Sequence, residues 1–241
     1  MLVSILGDSI STYNGYNPKG YAVYYDKDMQ MQNGLQSVYD TWWAKVNQEF
    51  NAYLCVNNSY SGSMVSGVDF PAGCCQERIM NLQTSEHTPD LILVYMGFND
   101  FGYGVPISCA PMRNDGRVNL RYFEDAYHQM LTGLRYFYPN ATIVCATLMK
   151  TTLKQDHLWH FPDKWGGISI DDYNNAIRRA STNCHIGLAD LAKRHLSLVD
   201  FAAHDKRYET LDGAHPTAKG HQTIADEWIA CLSKLQIRKE I

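Results

Sequence analysis

Five short apolar runs recur along the chain: Leu2 to Leu6, Ala52 to Val56, Leu91 to Met96, Thr142 to Leu148 and Leu196 to Phe201. Each is nearly continuous in Val, Ile and Leu, the pattern of a strand covered on both faces rather than one with a wet side. The segments between them carry a different period. Trp42, Trp43, Val46 and Phe50 fall at helical spacing, as do Leu120, Phe123, Tyr127, Met130, Leu131 and Leu134, and then Ile170, Tyr173, Ile177 and Ala180. A last helix is expected through His221, Ile224, Ala225, Trp228, Ile229, Leu232 and Leu235, with Pro216 at its first turn. Strands alternating with helices require right-handed crossovers, which predicts an α/β fold: a three-layer, doubly wound α/β/α sandwich.

At 241 residues and 45% hydrophobic content the chain is neither disordered, nor a coiled coil, nor a disulfide-stapled miniprotein, and residues 1–241 read as one domain. The net charge is −4 and the basic residues are scattered, so nucleic acid is not expected as a partner. No apolar run approaches the ~20 residues of a membrane span, and a strand-like run at Leu2 replaces any secretory leader, so a cytoplasmic protein without membrane association is expected, although a trimmed secreted chain would begin the same way. The seven cysteines, Cys55, Cys74, Cys75, Cys109, Cys145, Cys184 and Cys231, are odd in number and irregularly spaced, which favours reduced thiols; the adjacent Cys74 and Cys75 read as core packing. No oligomeric state follows from the sequence.

Ligands collect at the carboxyl ends of the strands in an open parallel sheet. Polar groups follow the apolar runs at four places: Gly7-Asp8-Ser9, the stretch from Asn57 to Ser63 containing Gly62, Gly97-Phe98-Asn99-Asp100, and Asp212-Gly213-Ala214-His215. Each alone is also a cap, a turn or a satisfied surface pair. Together and in this order they resemble the blocks of the SGNH (GDSL-type) hydrolase family of esterases and acylhydrolases. The resemblance implies a flavodoxin-like five-stranded parallel sheet of order 2-1-3-4-5, with Ser9 between Gly62 and Asn99, and an oxyanion hole formed by the backbone N–H groups of Ser9 and Gly62 and the side chain of Asn99.

Acyl transfer explains the residue types. A serine hydroxyl needs a base, and a histidine with an ordinary pKa of ~6.5 suits that task. Asp212, three residues before His215, can accept from Nδ1 and leave Nε2 facing Ser9, which makes Ser9, Asp212 and His215 the expected catalytic set. Asp8 and Asp100 read as loop organisers. Gly-x-Ser-x-Gly, Gly-x-Gly-x-x-Gly and Walker loops are absent. His157 and His160 share a His-x-x-His spacing without His-Glu-x-x-His or a cysteine pair, so no metal and no cofactor are expected.

Two long segments, Thr12 to Ser37 and Thr151 to Ile168, are candidate substrate rims. The first holds Tyr13, Tyr16, Tyr21, Tyr24 and Tyr25, and the second Trp159 and Trp165. Such rings either stack on sugars or pin a loop to the body. Tyr13, Tyr16 and Trp159 are the candidate substrate contacts. The expected activity is cleavage of carboxylic esters, small-molecule or oligosaccharide, through an acyl-enzyme, with deacetylation of a carbohydrate as the favoured case. The alternatives are a thioesterase or lysophospholipase-type acylhydrolase, or an inactive carbohydrate-binding relative.

Overall fold

The computed structural model describes residues 1–108, 118–151, 168–196 and 209–237. Strand β1 (Leu2–Gly7) lies inside a parallel sheet, flanked by β2 (Tyr53–Ser59) and β3 (Leu91–Tyr95), with β4 (Thr142–Ala146) beyond β3. Its fifth strand is Gly187–Ala189, which pairs parallel with β4. The spatial order of the five, numbered along the chain, is therefore 2-1-3-4-5. The central β3 is buried at every position, as its unbroken Leu-Ile-Leu-Val-Tyr run requires, whereas edge strand β2 starts exposed.

Two sequence expectations are corrected here. The fifth strand is not Leu196 to Phe201. His195–Leu196 pairs with Lys150–Thr151 in a separate two-stranded sheet, and 197–201 lie outside the described residues. The true edge strand, only three residues long, begins three residues past the end of a helix and is too short to register as an apolar run. Strand β2 is also longer than its apolar core: Asn57, Asn58 and Ser59 continue it because their side chains are buried in hydrogen bonds. Asn57 Nδ2 donates to the Ser11 carbonyl (2.8 Å), Ser59 Oγ to Asn57 Oδ1 (2.6 Å) and Asn58 Nδ2 to the Asn81 carbonyl (2.8 Å).

Helices cover both faces. Along β3 successive side chains point to opposite sides, and Tyr95 meets Trp42 of the helix Trp42–Glu49 and Trp228 of the helix Ala218–Lys234. These two indoles are buried and stack at 5.3 Å and 10°. The other face is covered by the helices Gln76–Met80, Phe123–Phe137 and Ile170–Cys184, with Phe123 against Tyr173 at 4.9 Å. Leu120 precedes the Phe123–Phe137 helix rather than opening it. The Ile170–Cys184 helix starts at a Ser169/Asp172 capping box and stops at His185 in the left-handed conformation. Burying each large apolar side chain in these layers contributes about 1.5–3 kcal/mol. No helix among the described residues is long and apolar enough to cross a membrane.

Pro216 is not in the first turn of the last helix. Thr217 is its N-cap, with Oγ1 accepting from Gly220 N (3.2 Å), while Pro216 forms an isolated antiparallel bridge with Thr210. The segment 12–37 is not wholly irregular either. A helix, Lys27–Asn33, is capped by the Asp26 carboxylate, which accepts from Asp28 N and Met29 N, and by Gly34 at φ 74°. Its polar sequence carries no apolar stripe, so periodicity does not find it.

Candidate active site

Where β1 ends, the chain turns through a single 3-10 turn, Ser9–Ser11. The Asp8 carboxylate accepts from Ile10 N (3.0 Å), and Thr12 Oγ1 donates to the Ser9 carbonyl (2.8 Å), which fixes Ser9 at the mouth of the sheet. Ser9 is 6% exposed. From the other end of the chain, Asp212 Oδ1 accepts from Ala214 N (2.9 Å) and His215 N (2.7 Å). That turn needs Gly213 at φ +87°, and it curls the loop so that Asp212 Oδ2 lies 2.6 Å from His215 Nδ1. His215 Nε2 lies 2.9 Å from Ser9 Oγ. A carboxylate can only accept, so in the neutral ring the hydrogen sits on Nδ1 and Nε2 is left to accept from the serine hydroxyl.

Gly62 and Asn99 arrive at the same edge through a chain of hydrogen bonds. Tyr60 N donates to the Gly7 carbonyl (3.2 Å), Ser63 N returns to the Tyr60 carbonyl (3.1 Å), and Asn99 Nδ2 donates to the Ser63 carbonyl (3.0 Å). Gly62, exposed and at φ +80° inside this turn, has nothing within 4 Å of where a Cβ would stand. Its backbone is thus open to a ligand. Asp100 accepts from Val65 N (2.7 Å) and Ser66 N (2.9 Å), tying the helix Phe98–Tyr103 to the segment that follows Gly62.

The electrostatics under the site are those of a buried, mostly polar floor. Burial raises the Asp212 carboxyl, but the hydrogen bond and charge of His215 and two backbone N–H bonds outweigh it and leave the group below its ordinary range. Burial pushes Asp8 up to about 7, against the Ile10 N–H bond and the attraction of His215 and Arg78. Burial likewise raises Asp100 to about 6, against its bonds from Ser66 and Val65.

Arg78 has no signal in the sequence, yet its fully buried guanidinium gathers the strand ends. Nη2 donates to the Gly7 and Asn58 carbonyls (both 2.9 Å), Nε to Asn58 Oδ1 (2.7 Å) and Nη1 to the Pro71 carbonyl (2.6 Å). A second group that pattern reasoning did not single out is Tyr24, whose ring lies 3.5 Å from that of His215 at 7°. Of the tyrosines proposed as substrate contacts, Tyr13 is buried with its N–H bonded to Asn17 Oδ1 (2.9 Å), and Tyr16, 44% exposed, packs between Tyr13 and Trp43 at 5.9 Å from each. Both pin the loop at this edge. Trp159, Trp165, His157 and His160 lie outside the described residues.

Solved structures share this architecture. A protein described as a GDSL-like lipase from Bacteroides uniformis is 27% identical, with a TM-score of 0.68 over 97% of this chain and 95% of that one. Another so described, from Bacteroides ovatus, is 24% identical with a TM-score of 0.67, covering 97% and 98%. A family two carbohydrate esterase from Clostridium thermocellum, solved with cellohexaose, shares the fold at 16% identity and a TM-score of 0.57, covering 98% of this chain and 64% of that one. No curated protein matches the chain in sequence. A family model for GDSL-like lipase/acylhydrolase matches residues 1–160, which hold the Ser9, Gly62 and Asn99 segments, and so the chain belongs to the GDSL-like lipase/acylhydrolase family, whose members are hydrolases acting on esters.

Proposed function

We propose that the protein is a serine esterase that cleaves carboxylic esters through an acyl-enzyme, with acetyl groups on a carbohydrate as the favoured substrate. The observation that carries this reading is the relay of contacts Ser9 Oγ, His215 Nε2, His215 Nδ1 and Asp212 Oδ2, at 2.9 and 2.6 Å, across 206 residues of chain. In the proposed reaction Ser9 Oγ attacks the ester carbonyl as its proton passes to His215 Nε2. Asp212 holds the Nδ1 tautomer and stabilises the imidazolium. The charge on the carbonyl oxygen is met by the N–H groups of Ser9 and Gly62 and the amide of Asn99. The proton then passes to the leaving alcohol, and water, activated by the same histidine, releases the acid and regenerates Ser9.

The carbohydrate half of the proposal draws on the fold shared with the esterase solved with cellohexaose. Turnover of p-nitrophenyl acetate should vanish in Ser9→Ala, with unchanged circular dichroism, and a fluorophosphonate should label Ser9 in the wild type. Wild-type rates in Ser9→Ala would defeat the nucleophile assignment. A panel of acetylated oligosaccharides against simple acyl esters then decides the alcohol: faster release of acetate from the simple esters, rising with acyl length, would replace the carbohydrate substrate by a lipid-type one.

A further inference from the structure

Resting on the reading of His215 as the general base, we propose that Tyr24 is a positioning residue for that base: its ring face locks the imidazole plane and stabilises the imidazolium that forms when Ser9 gives up its proton. The two rings lie face to face, centroids 3.5 Å apart and 7° from parallel. Two neutral rings prefer an offset or edge-on meeting, because like quadrupoles repel face to face. A cationic ring over a phenol face is attracted instead. The arrangement therefore favours the state after proton transfer over the state before it, which is the differential that lowers a barrier.

The same segment is anchored to the nucleophile turn and to the histidine loop. Tyr24 N donates to Thr12 Oγ1 (2.9 Å), and that hydroxyl donates to the Ser9 carbonyl (2.8 Å). The next residue, fully buried Tyr25, donates its hydroxyl to the carbonyl of Pro216 (2.7 Å), directly after His215. Asn14 N (3.1 Å) and Gln30 Nε2 (2.8 Å) both donate to the Tyr25 carbonyl, so the clamp is itself held from two sides. Thus the 24–25 pair fixes the distance between the nucleophile turn and the histidine loop. In the step itself the Ser9 O–H bond breaks as the Oγ–carbonyl carbon bond forms. The proton resides on Nε2 above the Tyr24 face until the alcohol oxygen takes it as the ester C–O bond breaks.

The charged and titratable groups near His215 are Asp212 on its own loop, Asp8 after β1 and His221 on the Ala218–Lys234 helix. Asp8 and His221 have no contact with the Tyr24 side chain, whereas the Tyr24 hydroxyl hydrogen-bonds to Asp212. Tyr24→Phe removes that bond and keeps the ring, and Tyr24→Leu removes both, so the difference between the two variants reads the ring. The ring C–H signals of His215 are followed by NMR against pH in the unreacted protein, beside the pH profile of kcat/KM for p-nitrophenyl acetate. In Tyr24→Leu the His215 titration should move down by about half a pH unit or more, and kcat should drop about tenfold with KM within about twofold. Tyr24→Phe should restore the wild-type titration and at least about half of kcat. If Tyr24→Leu does not fold, Tyr24→Met takes its place. A folded aliphatic variant that titrates like the wild type overturns the proposal, as does Tyr24→Phe behaving like Tyr24→Leu, which would assign the effect to the hydroxyl. Because the NMR titration needs no turnover, a wild type that hydrolyses no ester would sink the esterase reading while leaving the ring-stacking result to be judged separately.

Discussion

Asn99 carries two amide hydrogens, and one of them is committed to the Ser63 carbonyl at 3.0 Å. In the proposed mechanism the second meets the developing oxyanion, so one side chain both holds the turn of Gly62 and donates to the substrate. Losing a donor of this kind costs about 10²- to 10³-fold in kcat. Asn99→Ala should fall in that range with a smaller change in KM, and Asn99→Asp, which places a negative acceptor there, should fall further. A change confined to KM would make Asn99 a binding group instead. At this scale the four polar blocks stood out in the sequence because the proposed chemistry calls for residue types, an alcohol with an imidazole and a carboxylate three positions before it. Tyr24 and Arg78 were not legible for the opposite reason. A tyrosine in a run of tyrosines, or one arginine in a polar helix, acquires its role only from what the fold lays against it, here the His215 ring and the carbonyls of Gly7 and Asn58.

The last helix shows how an element carries the site. Its N-terminal turn is docked on the chain at 209: Thr217 N donates to the Glu209 carbonyl (2.9 Å), and a Cβ at Gly220 would stand only 2.0 Å from that same oxygen. The obstacle is backbone on both sides, so Gly220→Ala must push the helix start away from 209 and with it the loop bearing Asp212 and His215. Overpacking of this kind costs about 1–3 kcal/mol, occasionally more. The urea midpoint should fall accordingly, and esterase turnover should fall with it even below the transition. An alanine variant with unchanged midpoint and rate would show that the helix start is free to shift. Elements with long apolar runs or a clear 3.6-residue period, such as Leu91–Tyr95 and Phe123–Phe137, could be read in advance. The three-residue Gly187–Ala189 strand could not, because it is specified by β4 beside it rather than by its own pattern, and the placing of Pro216 failed because the capping hydroxyl of Thr217 one residue later sets the boundary.

Across the whole molecule the layers follow from alternation and the sheet order from the family resemblance, but the balance of buried charge follows from neither, and it governs how stability responds to pH. Burial lowers His221 to about 3; its Nδ1 accepts from Trp42 N (3.2 Å) in the contact between the last helix and the Trp42–Glu49 helix. Between pH ~3 and ~6.5 the unfolded chain binds a proton that folded His221 refuses, so this residue makes stability rise with pH. Asp8, raised to about 7, and Asp100, raised to about 6, act with the opposite sign. From pH ~4 upward the folded protein keeps protons on them that the unfolded chain has released, so their contribution falls as pH rises. Asp212, held below its ordinary range, adds a rise only in more acidic solution. One rising slope therefore offsets one of two falling ones, and the wild type should lose stability from pH 4.5 to about 6 and begin to level off by 6.5. His221→Leu deprives the Trp42 N–H of its acceptor, a loss of about 1–3 kcal/mol that is nearly independent of pH. The same substitution removes the rising component, so urea midpoints of His221→Leu measured at pH 4.5, 5.5 and 6.5 should decline with pH more steeply than those of the wild type. Parallel curves for the two proteins would mean that His221 titrates alike folded and unfolded, and that the interface of the two helices admits its charge.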